Sequence, residues 1–168
     1  MSDVADPNPP EIGTAELPEP GNEAEIEAEL EQIEENFAAS GPLVGILVGS
    51  DEDLARMLPA EEYLSEQGIG SEVRVLDSPA AVGGYCEAAR AKGLKVIVVG
   101  AGESTALPGV AAAHTDLPVI GVPLAGEGLD GGDALLATAQ VPAATPVACV
   151  AIDGAENAGV LAARIIGA

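Results

Sequence analysis

Five short runs of apolar, largely β-branched residues punctuate residues 41–168, at Leu43–Val48, Glu72–Val75, Lys95–Val99, Pro118–Val122 and Val147–Ile152. Most lack a strict alternation of apolar and polar residues, the pattern of strands covered on both faces. Helical spacing fills the gaps, over Asp53–Gln67 stopped by Gly68, Ala80–Ala91 stopped by Gly93, a stretch after Pro108, Asp133–Ala139 and Ala155–Ile166. Parallel neighbours need a long crossover, which a helix supplies, so this alternation predicts an α/β fold, a three-layer α/β/α sandwich around a parallel sheet. Pro59 falls within the first of these helices and is expected to kink or shorten it.

The chain divides near Ser40. Residues 1–40 hold 12 of the 28 acidic residues and no Lys or Arg, leaving 16 acids and 6 bases in residues 41–168. Pro7, Pro9, Pro10, Pro18 and Pro20 crowd the beginning of the chain, and so much proline and acid leaves too little apolar surface to bury. A disordered acidic arm is expected there. One amphipathic helix should follow it, because Asn22 and Glu25 fit a capping box and Ile26, Leu30, Ile33 and Phe37 recur at helical spacing. Its apolar stripe either docks on the domain or on a neighbouring subunit, or forms a solvated helix end. Two regions result: 1–40, arm and helix, and 41–168, the folded domain.

Charge narrows the function classes. The net charge is −22, and the bases are Arg56, Arg74, Arg90, Lys92, Lys95 and Arg164. So few cations cannot displace the counterions of a nucleic acid or draw the chain to an anionic membrane. No nucleic-acid or membrane partner is expected, and no metal or cofactor. Strong acidity with small apolar residues suits a protein working in molar salt, where the Debye length falls to about 3 Å and self-repulsion fades. A halophilic source is one reading; an ordinary acidic protein with a charged tail is the other. Cys86 and Cys149 occupy apolar contexts in a helix and a strand pattern, which makes them core residues in a reducing, cytoplasmic setting.

Ligands of open parallel sheets bind beyond the carboxyl ends of the strands, and two glycine turns fall at such ends: Gly49-Ser50-Asp51-Glu52-Asp53 and Gly100-Ala101-Gly102-Glu103-Ser104. Each leads into a helix whose first amides can hold an anion. Neither is a Walker loop nor has the Rossmann glycine spacing, so a simple strand-to-helix connection explains each equally well. Glu103, Ser104 and Thr105 read as a solvated acidic loop rather than a source of a base. Asp77 and Ser78 read as caps of the helix that follows.

Taken with their surroundings, these turns resemble the PurE family, the 5-(carboxyamino)imidazole ribonucleotide mutases and phosphoribosylaminoimidazole carboxylases. The resemblance runs from about Leu43 to Ile166. It is carried by Val44-Gly45-Ile46-Leu47-Val48-Gly49-Ser50-Asp51, by Gly93-Leu94-Lys95-Val96-Ile97, and by Gly100-Ala101-Gly102 with Leu107-Pro108-Gly109. Leu117-Pro118-Val119-Ile120-Gly121-Val122-Pro123, Asp133-Ala134-Leu135-Leu136, Gln140-Val141-Pro142 and Asn157-Ala158 continue it. The resemblance implies a flavodoxin-like sandwich, assembly as a homo-octamer and a role in de novo purine synthesis; a non-catalytic relative would instead assemble with an active PurE. It places a ribonucleotide against Ser50 and Asp53, with Gly49, Gly100, Ala101, Gly102 and Leu107 completing the substrate site.

The sequence departs from that family where the reaction takes place. Such enzymes typically read Ser-Ala-His-Arg-Thr-Pro after the second strand, and this chain reads Val75-Leu76-Asp77-Ser78-Pro79, about three residues shorter. Their second histidine, in Ala-His-Leu-Pro-Gly, falls on Ala106, and Glu52 stands where the first loop has its second serine. No catalytic residue is therefore assigned. Moving a carboxylate from the exocyclic nitrogen to the ring carbon requires removal of a ring proton, for which an imidazole is suited. The single histidine, His114, is expected to be structural. Three functions follow: a divergent nucleotide-binding relative with lost or altered carboxylate transfer, an active mutase with substituted groups, or a non-catalytic assembly partner.

Overall fold

The computed structural model describes residues 27–28, 41–102, 104–126 and 129–167. Glu27 and Ala28 have helical backbone; the rest of the expected acidic arm and helix lies outside the described residues, as does Glu103. From Gly41 the chain alternates β1 (Val44–Val48), α1 (Asp51–Glu66), β2 (Ser71–Val75), α2 (Pro79–Ala89), β3 (Val96–Ala101), α3 (Leu107–Ala113), β4 (Val119–Pro123), α4 (Gly132–Ala139), β5 (Ala148–Cys149) and α5 (Ala155–Ile166). All strand pairs are parallel, in the order β2-β1-β3-β4-β5. This is the flavodoxin-like order, with its topological switch between β1 and β3.

Strand periodicity divides the core in two. Val44, Ile46 and Val48 face one side of β1 with Val96, Val98, Ile120 and Val122, and meet Met57, Ala60 and Leu64 of α1 and Ala155, Ala158 and Ala162 of α5. Leu47, Ile97, Val99 and Val119 face the other side, against Val82, Cys86 and Ala89 of α2 and Leu107, Ala111 and Ala112 of α3. The predicted three layers are thus present, held by aliphatic side chains from alanine to leucine, isoleucine and methionine.

Coverage on both faces holds for the inner strands only. β1, β3 and β4 are buried throughout, whereas β2 is partly exposed and both residues of β5 are exposed. β2 and β5 are the sheet edges, which the helices do not fully cover. β5 is also shorter than the expected Val147–Ile152, and its position exposes Cys149, which the sequence placed in the core. Cys86 is buried, and burial pushes its thiol up to about 11, which keeps it protonated and inert at neutral pH. Pro59 does not shorten α1, which continues to Glu66. Pro59 and Ala55 are both exposed, so the carbonyl that loses its helical partner sits on the solvent side, where water can pair with it.

A polar cluster joins α2 to the edge strand. The Tyr85 hydroxyl donates to Glu72 Oε1 at 2.7 Å, and Arg74 Nη2 donates to Glu72 Oε2 at 2.6 Å. Gly45 makes room for it, since a Cβ there would stand 2.5 Å from the Tyr85 oxygen. Burial acts to raise the Glu72 carboxyl, but the bonds from Tyr85 and Arg74 outweigh it and hold the group below the usual carboxylate range. Burial, reinforced by the Glu72 charge, raises the Tyr85 hydroxyl well above its ordinary value.

Candidate functional site

At the carboxyl end of β1 the chain turns through Gly49 and Ser50 into α1. Ser50 is extended (φ −144°, ψ 161°) and forms the N-cap, but its hydroxyl makes no capping bond. It donates instead to Asp53 Oδ2 at 3.1 Å. Asp51, Glu52 and Asp53 fill the first turn of α1, where carboxylates are favoured by the exposed amides of the helix start. Asp53 is only 8% exposed. Its carboxyl lies against the backbone of Gly102, just past β3, and a Cβ at Gly102 would overlap it. A residue with any side chain at 102 is therefore incompatible with this placement of Asp53. The turns after β1 and β3 meet here, at the topological switch.

Ser50, Asp53 and Gly102 open onto a cleft of about 820 Å³, within the size range of small-molecule sites. Its other walls come from α1 (Glu52, Arg56), the turn after β4 (Leu124–Gly126), and Asp130 and Asp133 at the start of α4. Arg56 Nη1 donates to the carbonyl of Ala125 and to Asp153 Oδ1, the latter at 3.3 Å. Asp153 Oδ1 also accepts from the Ala125 amide at 3.1 Å, so the turns before α5 and after β4 are tied together. Asp130 (φ +47°) and Asp153 (φ +55°) both have left-handed backbone. Aspartate tolerates that conformation better than most residues because its short polar side chain bonds locally.

The remaining residues expected at the site stand behind this cleft. Gly49 packs toward Leu107 and Ser104, Gly100 toward Met57 and Val48, and Ala101 and Leu107 are buried in the core. Sequence reasoning missed Arg56, Asp130, Asp133 and the 124–126 turn. The turn had a signal, because it follows the carboxyl end of β4 as the recognised turns follow β1 and β3. Arg56 had none: it joins Asp153 from 97 positions away.

A second cleft, of about 670 Å³, lies beside α2 and α3 and brings Pro79 and Ala106 together. Most of its wall is apolar, with Ala80, Val110 and Val141 typical, and His114 reaches its edge. The His114 ring packs over Gly83, and Nδ1 pairs with Glu87 Oε1 at 2.9 Å. Ser78 caps α2 as expected, accepting from the Ala81 amide at 3.4 Å. Among the described residues, no cluster of His, Cys, Asp and Glu is arranged to hold a metal ion, and no helix is long and apolar enough to cross a membrane.

Residues 43–168 match the AIR carboxylase family. The chain is 48% identical over 134 residues to an N5-carboxyaminoimidazole ribonucleotide mutase of Mycobacterium tuberculosis, covering 78% of this chain and 77% of that one. A mutase of the same description from Pyrococcus horikoshii is 46% identical over 129 residues, covering 75% of this chain and 73% of its own. Among solved structures, Treponema denticola PurE superposes with a TM-score of 0.66 at 26% identity, covering 75% of this chain and 80% of that chain.

Proposed function

The chain belongs to the AIR carboxylase family, and we propose that it is a divergent member that binds an aminoimidazole ribonucleotide in the Ser50–Asp53 cleft and has lost or altered the carboxylate transfer. One contrast carries this reading. The cleft at the switch point is built, with Asp53 fixed by Ser50 and by contact with Gly102, whereas Leu76, Asp77 and Ala106 bring no imidazole where the resemblance puts the reacting groups. General acid–base help of that kind is worth roughly a hundred- to ten-thousand-fold in rate. The proposal includes assembly as a homo-octamer or together with an active family member, and a cytoplasmic setting.

A second reading, an active mutase with substituted groups, is favoured by the 48% identity to a mutase over most of both chains. The test is conversion of N5-carboxyaminoimidazole ribonucleotide to its ring-carboxylated isomer by the purified protein, against a control without protein. Molar KCl is the medium of choice, because it screens the self-repulsion of a chain of net charge −22. The expected result is no turnover above background from a folded protein that still binds the ribonucleotide. Turnover well above background would establish the active reading and point to Asp77 and Glu103 as proton carriers.

A further inference from the structure

We propose that Arg56 recognises the anionic group of the ligand, exchanging Asp153 for a single phosphate as the ligand enters. This deepens, and rests on, the assignment of the cleft as a ribonucleotide site. Among the described residues lining that cleft, Arg56 is the one cation, facing Glu52, Asp53, Asp130 and Asp133. The other charged side chains of the cleft are carboxylates, whose like charge repels a phosphate.

Arg56 is placed and equipped for this role. It lies three residues beyond Asp53 on α1, and residues three apart share a helix face, so the side chains that position a ribonucleotide and the guanidinium line the same wall. Both of its recorded bonds use Nη1, which leaves Nε and Nη2 without a partner among the described residues. A guanidinium presents its donors as a planar fork that matches two phosphate oxygens at once. The pair with Asp153 is easily exchanged, because the two side chains are 43% and 48% exposed and water screens their attraction. The cleft offers a single guanidinium, which matches the single phosphate of a ribonucleotide.

Calorimetry in molar KCl with two probes, 5-aminoimidazole ribonucleotide and the riboside that lacks its phosphate, tests this on the full chain. Arg56→Ala should weaken the ribonucleotide by about tenfold or more, the size of a lost charged hydrogen bond, and leave the riboside within about twofold. Arg56→Lys should recover part of the loss, and Asp153→Asn, which frees the guanidinium, should tighten the ribonucleotide alone. Equal losses for both probes in Arg56→Ala, or no loss for the ribonucleotide, would overturn the role of Arg56 while leaving the site assignment intact. Failure of the folded wild-type protein to bind either probe would overturn the site assignment and this inference with it. Arg56 is exposed, so its variants should fold, and unchanged thermal unfolding checks that they do.

Discussion

The cleft beside Ser50 and Asp53 is walled by four carboxylates and a guanidinium, while the cleft beside Ala106 is walled mainly by alanine, valine and proline with one imidazole at its edge. In the first, two pairings fix the wall: Ser50 holds Asp53, and Asp153 holds Arg56 and Ala125. Removing one partner there leaves the other unpaired, and that unpaired group carries the energetic penalty. In the second, most of the wall is side chains that ask nothing specific of their neighbours. The pair teaches that volume alone does not locate function: the two clefts are of similar size, but only one has a geometry that a substitution would destroy.

Glycine substitutions test that contrast most sharply. Gly102→Ala should be the most damaging, since its Cβ overlaps the Asp53 carboxyl; overpacking of this kind costs roughly 1–3 kcal/mol, and ribonucleotide affinity should fall with it. The matching change in the other cleft, Gly109→Ala, puts a Cβ at ordinary contact distance, 3.4 Å from Val141, within α3. It should be neutral or stabilise by up to about 1 kcal/mol through helix propensity. Urea unfolding of both variants decides the point, and a Gly102→Ala protein as stable as wild type would erase the distinction between the clefts.

A smaller effect separates the sites from the frame beneath them. Tyr85 lines neither cleft, so Tyr85→Phe should cost about 1 kcal/mol at pH 7 and leave ribonucleotide affinity unchanged. Its pH dependence has a definite sign. The Glu72 carboxyl is held below its ordinary range in the folded protein, so its stabilisation is present above its unfolded pKa and lost as pH falls through the folded value. Loss of the Tyr85 bond reduces that depression, and the gap between wild type and variant should narrow as the pH is lowered to about 3. The Tyr85 hydroxyl, raised in the fold, contributes below its unfolded pKa near 10, and that contribution fades as pH rises further. A gap that widens in acid would show that Glu72 is not the group being held.

The smallest expected effect is none at all. Ala106→His alone should leave turnover at background, because the turn through Leu76 and Asp77 still offers neither a histidine nor an arginine. A clear gain in the mutase assay would mean that the apolar cleft needs only one imidazole to become reactive.

How much of this was legible beforehand depended on whether a residue's neighbours lie nearby in sequence. The inner strands were read within one or two residues, because Val44–Val48 and Val119–Pro123 are wholly buried and their composition says so. α5 was read to the residue, its limits set by Gly154 and Gly167. β5 was overextended and Cys149 misplaced, because an edge strand shares the composition of an inner one and nothing local records the missing neighbour. Ser50 and Asp53 were legible as one short motif. Their contact with Gly102 and the grip of Asp153 on Arg56 were not, because the first exists only once β1 and β3 are paired and the second only once all four crossovers have been folded.

The division of the core into two apolar layers bears on how such a gene can change over time. Side chains pointing into the layers come from strand interiors and helix faces, while Ser50, Gly102 and Asp153 come from turns outside them. Selection for a stable fold therefore acts mainly on the first set, while selection for chemistry acts mainly on the turns, with Asp53 and Arg56 on α1 beside them. Drift in the second set leaves overall identity to relatives almost untouched, so descent within this lineage can preserve a shape long after the task it served has changed.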